Sequence, residues 1–260
     1  MSDAAEVSNL SDRVVLITGG TRGIGLGIAK HLGSLGALVA ITGRKQERVD
    51  DASAILDDLG IEHLARVLDV RDAPGTSALV TDMVEQWGGV DGLVANAQSF
   101  RPVTSLAEVT EDDMDLLFDT GPKGTLIAMQ AVLPHMQAVG RGRIVTMATS
   151  LGLTGAAGYG PYAASNEAIR SLTRTAANEW GRDGITVNCV LPASAAHRMK
   201  PDGDPERKAV FDAMYAEHPL GRDGNPETDI APAVAFLLSD ASQYVTGQSL
   251  GVDGGGIMRP

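Results

Sequence analysis

The sequence predicts an α/β protein built on a doubly wound, mostly parallel seven-stranded sheet with helices on both faces. Three observations predict it. Short β-branched apolar runs alternate with helical patterns along the whole chain, which is the mark of successive βαβ units. Runs such as "RVVLIT" (13–18) and "ALVAIT" (37–42) are apolar throughout, as strands covered on both faces are. The first of these runs ends in "GGTRGIG", a glycine-rich turn that opens a helix.

The elements follow in order. After "RVVLIT" comes a helical run closed by Gly36, then the second strand, then an amphipathic helix over 44–60. "HLARVLDV" (63–70) reads as the third strand and "ALVTDMVEQWGG" (78–89) as the next helix. "VDGLVAN" (90–96) is the fourth strand; a long helical stretch leads to the fifth, "GRIVTMAT" (142–149). A helix over 161–180 starts at Pro161, a residue suited to a first helical turn. "GITVNCVLP" (184–192) and "GQSLGVDGG" (247–255) are the sixth and seventh strands. Residues 1–12 read as a disordered tail and 13–260 as one domain. The stretch 193–225, charged and broken by Pro and Gly, reads as a mobile insertion over the edge of the sheet where ligands bind.

Composition narrows the function. A net charge of −12 argues against nucleic acid or an anionic membrane as partner. It leaves room for an anionic small ligand, because a few backbone N–H groups outweigh bulk charge locally. Cys189 is the only cysteine, so no intrachain disulfide forms. The acidic start "MSDAAEVSNLSD" has no apolar core, and no apolar run approaches a membrane span, so a soluble, cytoplasmic protein is expected. No His/Cys/carboxylate spacing suggests a metal site.

The turn Thr18-Gly19-Gly20-Thr21-Arg22-Gly23-Ile24-Gly25 has the chemistry of a pyrophosphate cradle. Its glycines let the chain tighten, and the helix that follows offers free N–H groups and a positive dipole end. At the end of the second strand, where an acid would hold the ribose 2′-OH of NAD, stand Gly43 and Arg44. With Arg22 in the turn, two arginines and no acid favour a 2′-phosphate, hence NADP(H) over NAD(H).

These segments resemble the short-chain dehydrogenase/reductase family over nearly the whole chain. "TGGTRGIG" is similar to the family's TGxxxGxG turn, "LDV" with Asp69 and Val70 to its adenine-contacting element, and "ANA" with Asn96 and Ala97 to NNAG. "QAVLPHM" (130–136), "GRIV" (142–145) and "YVTGQSLGVDGG" (244–255) also match family segments. The resemblance implies a Rossmann-type fold, a homodimer or homotetramer paired through 110–139 and 161–180, and an NAD(P)-dependent oxidoreductase acting on a small molecule. It places Gly19, Thr21, Arg22, Gly23, Ile24, Gly25, Arg44, Asp69, Val70, Asn96, Ala97, Tyr162, Asn166 and Pro192 around the cofactor.

The resemblance also implies an active site of Asn, Ser, Tyr and Lys, and this chain departs from it. Tyr162 matches. Thr149 falls where Ser is expected, thirteen residues earlier, with Ser150 beside it. Asn166 falls where Lys is expected, four residues after the tyrosine. The helix Asn corresponds to Gly121, followed by Pro122; NNAG ends in Gln98; the nicotinamide-holding Thr corresponds to His197. The nucleotide end is thus kept and the reacting end changed. In the family's mechanism Tyr gives a carbonyl oxygen its proton, Ser holds that oxygen, and Lys lowers the tyrosine pKa. Tyr162, Thr149 and Asn166 are the catalytic candidates, with Ser150 and His197 behind them. Asn166 can bond a ribose hydroxyl and brings no charge, which favours reduction, where tyrosine starts as the acid. Lys123 and Lys200 are candidates for the missing cation.

The expected function is NADP(H)-dependent reduction of a carbonyl or imine in a medium-sized, fairly apolar molecule. Phe100, Leu151, Leu153, Tyr159, Met199, Phe211, Met214 and Tyr215 are the candidate pocket residues. Two alternatives stand beside it: a non-redox lyase or isomerase on the same fold, against which the intact glycine turn speaks, and a catalytically silent NADP(H)-binding protein.

Overall fold

The computed structural model describes residues 9–101, 103–194, 209, 213 and 215–258. Seven parallel strands form one sheet: β1 (Val14–Thr18), β2 (Leu38–Gly43), β3 (His63–Val67), β4 (Gly92–Ala95), β5 (Gly142–Met147), β6 (Ile185–Pro192) and β7 (Ser249–Val252), in the order β3-β2-β1-β4-β5-β6-β7. The helices are α1 (Gly23–Ser34), α2 (Gln46–Asp58), α3 (Ala73–Trp87), α4 (Glu111–Phe118), α5 (Gly124–Val139), α6 (Leu151–Thr154), α7 (Gly160–Trp180) and α8 (Ala231–Leu238). Among the described residues no helix is long and apolar enough to cross a membrane.

The continuous apolar strands divide between two cores by the period of two. Val15 and Ile17 of β1, with Val39 and Ile41 of β2, pack against α1, α2 and α8. Val14 and Leu16, with Ala40, pack against α3, α5 and α7. Leu16 and Ile17 are both fully buried on opposite faces, each contributing about 1.5–3 kcal/mol of transfer free energy. A one-residue slip of β1 would exchange the two sets, so the register Leu16↔Ala40 and Leu16↔Leu93 is held from both sides. After β3 the chain returns to the other side of β1, so the β1/β4 crevice is a topological switch point, where sheets of this kind bind ligands.

Several boundaries differ from the sequence reading. The helix expected over 78–89 begins at Ala73, because the Asp72 side chain accepts from the Gly75 N–H and Pro74 fits the first turn. The third strand ends at Val67, so Asp69 and Val70 lie in the turn beyond it. The fifth ends at Met147, and a short helix, α6, follows Thr149 and Ser150. The disordered tail does not extend to Asp12. Leu10 is fully buried beside α1 and donates its N–H to the Leu35 carbonyl at 3.3 Å. Of the stretch 193–225, residues 195–208, 210–212 and 214 lie outside the described residues, and with them His197, Met199, Lys200, Phe211 and Met214.

The chain that comes back to the sheet from that stretch is pinned at its end. Asp229 accepts from Arg222 Nη2 at 2.8 Å and from the Asn225 N–H at 2.7 Å, while Asn225 caps the wide helical turn Pro226–Ile230 that leads into α8. Arg222 first, then the Asn225 N–H, holds the Asp229 carboxyl at about 2, below its ordinary 3.8. The folded pKa is depressed, so the stabilisation is present above the unfolded value and lost as pH falls toward about 2. Asp229→Asn should therefore lower stability by roughly 1 kcal/mol at pH 7, solvent screening limiting the loss. The gap to the parent should close as pH falls from 3.8 to about 2, read by chemical denaturation across that range. A gap that persists at pH 2 contradicts this account of the clamp.

Candidate active site

The glycine turn is built by contacts across the β1/β4 crevice. Asn96, just past β4, donates through Nδ2 to the carbonyls of Thr18 (3.0 Å) and Gly19 (3.1 Å). Thr18 Oγ1 in return accepts the N–H groups of Asn96 and Ala97, both at 3.1 Å. Gly19 sits at φ 66° and Gly23 at φ 53°, conformations that glycine adopts without penalty. A Cβ on Gly25 would collide with the Gly19 carbonyl and come within 2.7 Å of Asn96 Nδ2, so α1 starts as close to the turn as backbone allows. Arg22, at the head of α1, makes no side-chain cap to the first-turn N–H groups.

Cations gather at one flank of this turn. The Arg22 guanidinium is held below its ordinary pKa by partial desolvation first, then by Arg48 and Arg44. Mutual repulsion of that kind marks a cluster that an anion would relieve. Arg48 was missed in the sequence, although it stands four residues after Arg44, in the first turn of α2. The rim beyond β3 is set differently. Arg71 donates to both oxygens of Asp69, at 2.9 and 2.7 Å, and to Oδ1 again through its backbone N–H, and holds that carboxyl below the usual range. Val70 packs against α5 at Gly124, where a Cβ would stand 2.8 Å from its methyl group.

Tyr162 and Asn166 lie one turn apart at the start of α7. Tyr162 lies in its first turn, its ring edge-on to Phe100 with centroids 5.3 Å apart; Tyr159 flanks Phe100 at 6.3 Å. Asn166 is fully buried. It donates through Nδ2 to the Tyr162 carbonyl at 2.7 Å, and its Oδ1 is buried with no hydrogen-bond partner. Ser165, also fully buried, donates to the same carbonyl at 3.0 Å and accepts from Gln98 Nε2 at 2.9 Å. Thr149 is 8% exposed, and its Oγ1 accepts from the Leu151 N–H at 3.4 Å, long for a hydrogen bond. Beyond Pro192, which ends β6, Ser194 Oγ is another buried polar atom with no partner. A cleft beside Tyr162 is lined by Tyr159, Pro161, Val109, Leu117, Thr104, Gly158 and the ion pair Arg101–Asp113.

The structure therefore brings Tyr162, Asn166 and Gln98 into one network and leaves Thr149 and Ser150 on the loop above β5. Lys123, a candidate for the missing cation, is paired with Asp119 at 2.9 Å, one turn away, and two-thirds exposed. Tyr215 is buried against His218, and Leu153 packs on the small core of Ala148, Ile169, Cys189 and Leu191. Phe100 and Tyr159 are the pocket candidates that meet at Tyr162. The residues present fit a nicotinamide dinucleotide: a cradle that a Cβ at Gly25 would fill, an arginine cluster, and orphaned polar atoms on Asn166 and Ser194.

The comparisons with known proteins agree with this geometry. Residues 19–256 match the family model described as enoyl-(acyl carrier protein) reductase. The chain is 35% identical over 245 residues to cis-4-hydroxycyclohexanecarboxylate dehydrogenase of Sinomonas cyclohexanicum, covering 94% of this chain and 96% of the relative. It is 34% identical over 250 residues to dehydrogenase/reductase SDR family member 4 of Homo sapiens, covering 95% and 88%. The crystal structure of levodione reductase superposes with a TM-score of 0.86 at 33% identity, covering 94% of this chain and 97% of that one. A parallel sheet with a glycine turn at its switch point, matched end to end by these relatives, places the chain in the short-chain dehydrogenase/reductase family, whose members use NAD(P)(H).

Proposed function

We propose that the protein is an NADP(H)-dependent reductase of carbonyl groups in medium-sized, largely apolar molecules, with Tyr162 as the proton donor. The observation that carries this reading is the junction at the β1/β4 crevice. A complete nucleotide turn there leads, through Gln98 and Ser165, to a phenol bordering a cleft.

The chain's own groups divide the work. Arg22, Arg44 and Arg48 hold the adenosine 2′-phosphate, and the α1 N-terminus with Gly19, Thr21, Gly23, Ile24 and Gly25 holds the pyrophosphate. Asp69, Val70 and Ala97 bound the adenosine side. Asn166 Oδ1, with no partner of its own, accepts a ribose hydroxyl, and Ser194 Oγ faces the same need for a partner near Pro192. When bound, the nicotinamide supplies a hydride to the carbonyl carbon. Tyr162 donates its phenolic proton to the carbonyl oxygen, and Thr149 Oγ1, only weakly engaged, hydrogen-bonds that oxygen. The phenolate left behind regains its proton from solvent. Tyr159, Pro161, Val109 and Leu117 give the cleft its apolar character.

The cofactor assignment predicts that NADPH binds at least about tenfold more tightly than NADH, and that Arg48→Ala or Arg44→Asp narrows the ratio. Fluorescence titration of both nucleotides reads it; equal affinities in the parent protein remove the argument. The catalytic assignment predicts that Tyr162→Phe lowers ketone reduction by about a hundredfold or more while NADPH affinity stays within about threefold. The names of two relatives suggest the first substrates: levodione and the ketone that corresponds to cis-4-hydroxycyclohexanecarboxylate. Full turnover in Tyr162→Phe would sink the assignment, and nucleotide binding with no turnover on any ketone would mark a silent binder.

A further inference from the structure

We infer that Gln98 is the positioning residue for Tyr162, and that Gly121 is glycine so that the Gln98 carboxamide can occupy the space beside it. The inference rests on the reductase reading only in taking Tyr162 as the reacting acid. Its structural content stands on contacts alone.

Gln98 lies three residues beyond β4, on the same segment whose Asn96 closes the glycine turn. Its Nε2 reaches across to α7 and donates to Ser165 Oγ at 2.9 Å. The Ser165 hydroxyl, its acceptor side thus filled, donates to the Tyr162 carbonyl at 3.0 Å. Asn166 donates to that carbonyl as well, at 2.7 Å. Two side-chain donors on one carbonyl fix the first turn of α7, and the outer link of that arrangement is Gln98. The segment 96–98 therefore ties the glycine turn, through Asn96, to the backbone that carries the phenol, through Gln98 and Ser165.

The opposite wall explains why the carboxamide lies where it does. Pro122 has no N–H to donate, and the helix between α4 and α5 widens into a π turn over Asp119–Lys123. The turn brings Gly121, which is buried, against Gln98. A Cβ on Gly121 would stand 2.8 Å from Gln98 Nε2 and 3.5 Å from its amide carbon. A side chain at 121 would therefore push the Gln98 carboxamide away from the place where it meets Ser165. The carboxamide beside Gly121 comes from the segment after β4.

The test is a cycle of four proteins, the parent, Gln98→Gly, Gly121→Asn and the double variant, with Gln98→Glu as a fifth. Glutamate keeps the shape and loses the donor to Ser165. Each is labelled with 3-fluorotyrosine, and the Tyr162 fluorine resonance is assigned by its loss in Tyr162→Phe. Gln98→Gly and Gln98→Glu should both shift that resonance and lower kcat about tenfold or more, with KM for the ketone and NADPH affinity within about threefold. Gly121→Asn alone, with Gln98 still in place, should lower the melting temperature. Added to Gln98→Gly, it should return the resonance and most of kcat, since it restores a carboxamide to the same space. A Gln98→Gly or Gln98→Glu protein with the parent's resonance and kcat overturns the inference, as does a double variant no better than its worse single. A parent that reduces no ketone counts against the reductase reading alone, and the fluorine resonance then decides the inference.

Discussion

The contact on which the rest depends is the side-chain amide of Asn96 on the carbonyls of Thr18 and Gly19. It joins the C-terminal ends of β1 and β4 at the one place where the sheet's winding reverses. Without it the part-buried carbonyls of Thr18 and Gly19 would each lose a donor, at roughly 1 kcal/mol each, and the turn would lose a tie to the segment after β4. Gly25 shows how little slack remains, since a single methyl group there meets both the Gly19 carbonyl and Asn96.

The reacting end we propose is built from side chains, at positions where the sequence departs from the family pattern. Asn166 brings no charge from its position and turns its Nδ2 back on its own helix, leaving Oδ1 buried and unpartnered. A buried acceptor in that state is unfavourable in the protein alone and is relieved by a donor from a ligand. The carboxamide of Gln98 fills the space that Gly121 opens. The net charge of −12 does not oppose an anionic cofactor, because three arginines stand at the one flank where a phosphate would lie.

The fold was legible because two periodicities, continuous apolar strands and amphipathic helices, repeat along the chain, and the glycine turn fixes where the winding starts. The boundaries were less so. Asp72 and Pro74 announce the start of α3, yet the apolar pattern that first stands out begins at Ala78. "LDV" continues the apolar run of β3 although pairing with β2 has stopped at Val67. Leu10 lies in an acidic, polar segment, and only its place beside α1 shows that it belongs to the core. At the site, the resemblance singled out Tyr162 and Asn166, and their spacing of four puts them one turn apart in α7. The partnership of Gln98 with Gly121 was not readable, since residues far apart in sequence carry no spacing signal; each was visible only as a separate departure from a pattern. Arg48 was within reach of helical periodicity from Arg44.

The central claim is that a complete nucleotide end has been kept while the reacting end is rebuilt around Asn166 and Gln98. A crystal structure with bound NADP⁺ tests it most directly. The account predicts the 2′-phosphate among Arg22, Arg44 and Arg48, a nicotinamide ribose hydroxyl donating to Asn166 Oδ1, and the Gln98–Ser165 hydrogen bond intact. A bound nucleotide that leaves Asn166 Oδ1 still without a partner, or whose 2′-phosphate lies away from the three arginines, contradicts it.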